Sequence, residues 1–155
     1  MRLRIIAVGQ HISPWADSAV RDYLSRFPKD FTVELVEVRT EARNGRTPAQ
    51  LMAAEAQNIL KNVEAGDHVV VLDERGADLT TMALAKSCAR WRAEALDVVF
   101  IIGGPDGLAP EVKARADDTI KLSSLTLAHA FARVLLAEQL YRAWSILAGH
   151  PYHRA

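Results

Sequence analysis

The sequence predicts a single α/β domain in which a mostly parallel sheet is flanked by helices. Short apolar runs alternate along the chain with segments of helical periodicity, and this alternation is typical of a parallel sheet with helical crossovers. The run Val98–Ile102 is apolar at every position, as expected of a strand buried on both faces. A chain of 155 residues, half of them apolar, can bury an ordinary core, so residues 1–155 are expected to form one domain.

Five strands are predicted. Residues 3–8 are a first apolar run, which Gly9 closes. Residues 31–38 alternate apolar and polar side chains, which indicates a strand with one wetter face, nearer the sheet edge than 98–102. Apolar runs at 69–72 and 119–122 complete the set.

Five helices are predicted, and the first four each have a residue that favours a first turn. Ser13 precedes Pro14, Thr47 precedes Pro48, Thr80 or Thr81 can cap the third helix, and Pro110 opens the fourth. The expected helices are residues 14–27, 48–63, 81–95, 110–115 and 128–147.

Composition excludes several classes of protein. Lysine plus arginine equals aspartate plus glutamate, so no overall basic field draws in nucleic acid, although a local patch remains possible. Cys88 is the only cysteine, which leaves no disulfide framework or cysteine metal site, and its helical surroundings favour a packing role. The first residues are too briefly apolar for a signal peptide and no run approaches a membrane span, so a cytoplasmic protein is expected.

Two polar segments interrupt the pattern. Residues 39–47 carry three arginines around Asn44-Gly45, so they are predicted to be a solvated loop, with contact to phosphate as the sharper alternative. Residues 73–78, which contain Gly76, are predicted to be a loop after the third strand.

The segment 103–108 follows the buried strand and contains three glycines and Pro105. Ligands of open α/β sheets bind at the carboxyl ends of the strands, where glycine lets a ligand approach the backbone. A tight strand-to-helix connection without a ligand is the alternative, and the spacing does not decide between the two. Neither known phosphate-binding glycine pattern is present, so phosphate binding is not the expected purpose.

The last helix is apolar on nearly all sides, which is typical of a buried helix. The sheet of the same chain can cover only one face of this helix. A two-fold dimer is the commonest way to cover the other face, so a homodimer is predicted. The first face contains Leu136, Leu140 and Leu147, and the second contains Phe131, Val134, Leu135 and Tyr141.

Chemically versatile side chains are concentrated near the carboxyl terminus. Glu138 and Arg142 are four residues apart on the last helix and can pair, which in isolation favours a structural ion pair. The tail contains Tyr152, His153 and Arg154, whose side chains transfer protons, stack on bases and bind phosphate. A metal site is less attractive, because Pro151 restricts the segment and no acidic residue lies nearby.

Four blocks of sequence resemble one known family. They are residues 26–30 (RFPKD), 101–108 (IIGGPDGL), 122–127 (LSSLTL) with His129, and 141–145 (YRAWS) with 150–154 (HPYHR). In this order they resemble the bacterial ribosomal RNA large subunit methyltransferase H family of the SPOUT superfamily. The resemblance covers nearly the whole chain.

The resemblance implies a fold, an activity and partners. The fold is an α/β domain with a carboxyl-terminal trefoil knot, which the usual rule against threaded chains would not suggest. The activity is methylation of ring nitrogen N3 of a pseudouridine in 23S ribosomal RNA on the ribosome, with S-adenosylmethionine as cofactor. Family members are homodimers, which agrees with the apolar last helix.

The resemblance also assigns site residues. The implied cofactor-binding residues are Leu72, Gly103, Gly104, Gly107, Ser123, Ser124, Leu125, Thr126, Leu127 and Ala128. The proposed catalytic residues are Glu138, Arg142, Tyr152, His153 and Arg154, with Glu138 orienting Arg142; His129 and Arg133 are expected to contact the RNA, and the tail is expected to reach the partner's site. Ala128 stands where the family often has proline, which loosens the loop but preserves main-chain contacts.

Two other functions compete with the enzyme. A non-catalytic ribosome-associated factor could keep the same fold, although the intact tail argues against it. An unrelated domain could bind a nucleotide or flavin at the glycine turn, although the missing phosphate motif argues against that.

Overall fold

The predicted alternation of strands and helices is present in the computed structural model, which describes residues 1–154. The strands are β1 (Arg2–Val8), β2 (Thr32–Val38), β3 (His68–Asp78), β4 (Val98–Ile102) and β5 (Asp118–Lys121). The helices are α1 (Pro14–Leu24), α2 (Pro48–Leu60), α3 (Thr81–Ala93), α4 (Pro110–Arg115) and α5 (His129–Ala148), followed by a 3-10 turn at Pro151–Arg154.

The five strands form one parallel sheet in the order β2-β1-β4-β3-β5. The edge position predicted for β2 is confirmed. Every residue of β4 is buried at the centre of the sheet, as its uninterrupted apolar sequence predicts. The α/β class and the parallel sheet are therefore both confirmed.

Side chains alternate between two cores, because successive residues of a strand point to opposite faces. Ile5 and Phe100 belong to the core that α3 and α5 cover, whereas Ile6 and Ile101 belong to the core under α2 and α4. Cys88 lies in the first core, where burial raises the pKa of its thiol to about 12. A thiol with so little thiolate character packs rather than reacts, in agreement with the sequence.

Helix termini follow the predicted caps with one exception. Thr47 forms a reciprocal capping box with Gln50, and the Thr80 side chain accepts a hydrogen bond from the amide of Ala83. Ser13 occupies the first cap position, but its side chain makes no cap hydrogen bond. Proline at the next position supplies the helical φ there.

The prediction of a loop at residues 73–78 is wrong, because β3 continues to Asp78. Leu72 and Ala77 both pair with Ile120 of β5, so residues 73–76 bulge out between them. A Cβ on Gly76 would lie 2.5 Å from the backbone of Ile120, so only glycine fits this approach. The segment is polar because its bulge faces the cleft described below rather than a core.

Fewer apolar residues of α5 are left uncovered by the rest of the chain than the sequence suggests. Leu136 and Leu140 are fully buried within the chain. Tyr141 is buried as well, because Phe27 and Tyr152 pack against its ring at centroid distances of 5.5 and 4.7 Å. Phe131, in contrast, is 56% exposed and packs only partly against Trp15.

Candidate functional site

A cleft of about 930 Å³ lies at the carboxyl ends of β1, β4 and β5 and beside the bulge of β3. This volume is in the range of small-molecule sites. Most of the predicted cofactor-binding residues line it, namely Leu72, Gly103, Gly104, Gly107, Ser123, Leu125, Thr126 and Leu127, whereas Ser124 and Ala128 do not. The structure thus brings together three segments that are distant in sequence, at the edge where open α/β sheets bind ligands.

The glycines of the turn are needed mainly for internal reasons. A Cβ on Gly103 would lie 2.9 Å from the Leu108 side chain, and one on Gly104 would lie 3.1 Å from Val8 and 3.2 Å from Glu55. Gly107 has a φ of +84° and donates a hydrogen bond to the carbonyl of Gly104 over 3.0 Å. Residues 103–108 therefore do form a tight strand-to-helix connection, and this connection is also one wall of the cleft.

The other wall is the loop 123–128. Ser123 accepts a hydrogen bond from the amide of Leu125 over 2.9 Å, which shapes the start of the loop. Within residues 1–154, no hydrogen bond uses the amides of Thr126 and Leu127. Main-chain donors left without a partner beside apolar side chains suit a flat heterocycle with polar edges.

Charged residues that the sequence interpretation missed also line the cleft. Asp73 lies 3.2 Å from Lys113 Nζ, and the amide of Arg75 donates to its other carboxylate oxygen over 2.9 Å. These contacts, chiefly the Arg75 amide, lower the pKa of Asp73. The sequence contains a signal for these residues, because they follow the apolar run 69–72, and polar residues after such a run are expected at the ligand-binding edge of the sheet.

His129 connects the cleft to a buried charge. Its Nδ1 lies 3.0 Å from the carbonyl of Gly103, and Arg133 Nε donates to its Nε2 over 2.8 Å. Since a carbonyl only accepts and an arginine only donates, the imidazole is neutral with its proton on Nδ1. Burial, and secondly the charge of Arg133, lowers the pKa of His129.

Arg133 does not lie where the predicted RNA contact requires it. Its side chain is fully buried, and its remaining nitrogens donate to Glu37 over 2.8 Å and to the carbonyl of Gly9 over 2.7 Å. Every nitrogen of the guanidinium thus has an acceptor inside the chain. The residue joins the ends of β1 and β2 to α5 and holds His129, and this corrects the sequence-based assignment.

Three of the predicted catalytic residues form a second group, here called the Glu138 cluster (Glu138, Arg142, Tyr152). Both Nε and Nη2 of Arg142 contact Glu138 Oε1, at 2.9 and 2.7 Å, and the Tyr152 hydroxyl donates to the same oxygen over 3.1 Å. Burial and a hydrogen bond with Tyr23 raise the pKa of Tyr152, while Glu138 raises that of Arg142. The phenol therefore stays protonated and the guanidinium stays cationic.

The tail is folded rather than frayed. The 3-10 turn lies against α5, where His153 Nδ1 is 3.3 Å from the hydroxyl of Ser145. Arg154 is exposed at the end of the turn. The tail thus brings Tyr152 to the Glu138 cluster of its own chain and leaves Arg154 facing outwards.

Two further residues at the cluster had no assigned role. The hydroxyl of Tyr23 lies 2.9 Å from that of Tyr152, and the guanidinium of Arg26 lies 4.6 Å from the Tyr23 ring centroid. Arg26 belongs to the block 26–30 that resembles the family, so the sequence did point to this segment. In the structure, Arg26 packs on Tyr23, and Tyr23 contacts Tyr152 of the tail.

The cleft and the Glu138 cluster do not meet within one chain. Glu138 is nine residues after His129 on α5, which corresponds to about 13 Å along a helix. Within residues 1–154, no predicted catalytic residue lines the cleft. A single chain therefore holds the cleft and the Glu138 cluster at separate places.

Comparison with known proteins defines the class. Residues 1–153 match the family model described as "Predicted SPOUT methyltransferase". The chain is also similar in fold to a probable methylase family protein from Haemophilus influenzae, with a TM-score of 0.60 and 16% identity over 97% of this chain and 69% of that one. The protein is thus a methyltransferase of the SPOUT class.

Curated relatives narrow this further. Proteins called ribosomal RNA large subunit methyltransferase H are 56% identical in Methylibium petroleiphilum, over 99% of both chains, and 54% identical in Bordetella petrii, over the full length of both. The chain belongs to the ribosomal RNA large subunit methyltransferase H family, as its sequence blocks indicate. In residues 1–154, no helix is long and apolar enough to cross a membrane, and no cluster of ligating side chains suits a metal ion.

Proposed function

We propose that this protein transfers a methyl group from S-adenosylmethionine to ring nitrogen N3 of a pseudouridine in 23S ribosomal RNA, within the assembled ribosome. The observation that carries the proposal is the coexistence, on a chain of this family, of a cleft with room for a small molecule and a separate polar cluster with a permanent cation. A ribosomal substrate also means that the proposed reaction takes place in the cytoplasm.

The residues of the cleft fit the cofactor. The loop amides of Thr126 and Leu127 offer donors to an adenine edge, and Leu72 offers an apolar contact to its face. The turn at Gly103 and Gly104 forms the opposite wall, and His129 holds the Gly103 carbonyl in place. When bound, the cofactor would supply a methyl group on a positively charged sulfur.

The Glu138 cluster fits the demands of the acceptor. The N3 nitrogen of a uracil ring lies between two carbonyl groups and must lose its proton when it is methylated. Arg142, kept cationic by Glu138, can stabilise the negative charge that develops on these carbonyls. The one hydroxyl proton of Tyr152 already donates to Glu138, so Tyr152 orients this carboxylate, and His153 and Glu138 are the candidate proton acceptors.

A homodimer would join the two halves of the site. The cleft of one chain lacks the cluster, and the cluster of one chain lies about 13 Å along α5 from its own cleft. Trp15 and Phe131 leave an aromatic surface half exposed, with ring centroids 4.9 Å apart, at the cleft end of α5. We assign this surface to the partner subunit, whose tail would then complete the cleft.

RNA would be bound locally rather than by an overall charge. The net charge is zero, so attraction must come from exposed cations beside the site. Arg154 is exposed. On the 39–47 loop, Arg43 and Arg46 each pair with a carboxylate, but their side chains are still 60% and 44% exposed. A protein without net positive charge suits a large preformed surface such as the ribosome.

We also propose the trefoil knot. β5 is at the sheet edge, beyond β3, yet the chain after it returns across the carboxyl ends of β3 and β4. His129 then meets Gly103, and Arg133 reaches the ends of β1 and β2. This return brings the last segment back through the region of the glycine turn, which is the kind of path that a knot requires.

The decisive experiment measures methyl transfer to ribosomes that lack the modification. We expect radiolabelled methyl incorporation into 23S RNA of 70S ribosomes, and a reverse-transcription stop at one pseudouridine, because an N3 methyl group blocks base pairing. The Thr126→Trp variant, which fills the cleft without altering the core, should bind no S-adenosylhomocysteine in calorimetry. Cofactor binding without incorporation into any ribosomal particle would instead favour the non-catalytic factor.

The shared site has its own test. A subunit truncated after Gly149 and a Thr126→Trp subunit should each be inactive alone. A mixed dimer should regain activity at one composite site, because one chain supplies the intact cleft and the other the tail. If activity stays absent in isolated heterodimers, each chain uses its own tail.

A further inference from the structure

Asp73 occupies a central place in the cleft that the proposed function does not use. It is the first residue of the β3 bulge, directly after Leu72. β3 lies between β4, which leads to the glycine turn, and β5, which leads to the loop 123–128. A carboxylate at this point is next to whatever is bound between the two walls.

The carboxylate is held firmly and still has acceptor capacity. The amide of Arg75 donates to Oδ1 over 2.9 Å, and Lys113 Nζ lies 3.2 Å from Oδ2. The side chain is 16% exposed, so little water competes for it. Each carboxylate oxygen can accept more than one hydrogen bond, so both oxygens can accept one more from a ligand.

We propose that Asp73 binds the two neighbouring ribose hydroxyls of the methyl donor, with Lys113 holding the carboxylate in position. The inference rests on the proposed use of S-adenosylmethionine. A carboxylate presents two acceptors side by side and a ribose presents two donors side by side, so the two groups match. Acidic side chains at the ends of parallel strands bind ribose hydroxyls in nucleotide-binding α/β folds for the same reason. The adenine base has other partners in the loop, where main-chain amides can donate to its ring nitrogens and main-chain carbonyls can accept from its amino group.

The chain offers a matched control. Asp78, at the end of the same strand, pairs with Lys121 at 3.1 Å, but its side chain is 79% exposed and does not line the cleft. Asp78→Asn thus removes the same charge from the same strand. A loss specific to Asp73→Asn would reflect ligand contact rather than local charge.

The experiment measures binding of S-adenosylhomocysteine and of 5′-methylthioadenosine, which lacks the amino-acid portion, by calorimetry. Asp73→Asn should weaken both by about 10- to 100-fold, as expected for hydrogen bonds to a charged acceptor, whereas Asp78→Asn should bind as the wild type does. The 2′-deoxy and 3′-deoxy forms of methylthioadenosine should each bind the wild type about tenfold less tightly. The Asp73→Asn variant should discriminate little between these forms and the parent compound, since the lost partner is the same.

Three results would overturn the inference. Equal binding of methylthioadenosine by the wild type and Asp73→Asn, with weaker binding of S-adenosylhomocysteine only, would show that Asp73 contacts the amino group instead. Full discrimination against the deoxy forms in Asp73→Asn would show that another group reads the ribose. If the wild type binds neither compound, the proposed function itself fails and the inference fails with it. Comparison of the wild type with the deoxy compounds does not depend on any variant being folded.

Discussion

The Nε of Arg133 donates a hydrogen bond to Nε2 of His129 over 2.8 Å, one turn apart on α5. This contact leaves the His129 proton on Nδ1, where it reaches the carbonyl of Gly103. The buried guanidinium of Arg133 thereby orients His129, which contacts the glycine turn that forms one wall of the cleft. The relationship leads to two predictions, one on stability and one on pH.

Replacing Arg133 by methionine should destabilise the protein by on the order of 3 kcal/mol, because Glu37 loses its partner and the Gly9 carbonyl loses a donor. The measurement is the free energy of unfolding in urea. Arg21→Gln is the control, since Arg21 also approaches Glu37, at 3.9 Å, but is 64% exposed and should leave the midpoint unchanged. Equal effects of the two substitutions would contradict the central role of the buried guanidinium.

His129 should make stability depend on pH. Burial lowers its folded-state pKa below the ordinary value of 6.5, so the unfolded chain takes up a proton at a higher pH than the folded chain does. The contribution is complete above about pH 6.5 and is lost as the pH falls towards the lowered value. Unfolding free energies at pH 7.5 and at decreasing pH should show this loss, and His129→Gln should reduce it. An identical pH dependence in His129→Gln would contradict the prediction.

Phe131→Glu should give monomers that bind cofactor and lack methyl transfer, because a charge on the aromatic surface opposes its burial by a partner. Sedimentation velocity measures the association. Met82→Glu is the matched control, since Met82 is 55% exposed on α3 and Phe131 is 56% exposed. Dimerisation of the Phe131→Glu variant at wild-type concentration would place the interface elsewhere.

Tyr152→Phe should lower the rate of methyl transfer by about tenfold while leaving cofactor affinity unchanged. The variant keeps the ring packing on Tyr141 but removes the hydrogen bond to Glu138. Rates on ribosomes and calorimetry with S-adenosylhomocysteine check both parts. Tyr23→Phe is the comparison, because it removes only the outer hydroxyl of the pair. A comparable loss from both substitutions would indicate that orientation of the tail matters more than the Tyr152 hydroxyl.

The class of fold and the sheet edge that carries the cleft follow from the amino-acid sequence. A run such as Val98–Ile102 carries its own information, because a strand that is apolar throughout must be covered on both faces. The carboxyl ends of parallel strands always meet at one edge, so Leu72, Gly103 and Ser123 could be placed together from their positions after strands. The family blocks then indicated which chemistry to expect.

Which elements cover each side chain depends on packing between distant parts of the chain. Periodicity shows that Tyr141 and Arg133 lie on a helix, but it does not show what packs against them. Phe27 and Tyr152 bury Tyr141. Glu37, which is distant in sequence, accepts a hydrogen bond from Arg133. The same holds for the bulge at residues 73–76, which the partner strand β5 imposes on a polar segment. Local sequence records what each residue prefers, whereas the distance between the cleft and the Glu138 cluster depends on how the whole chain is packed.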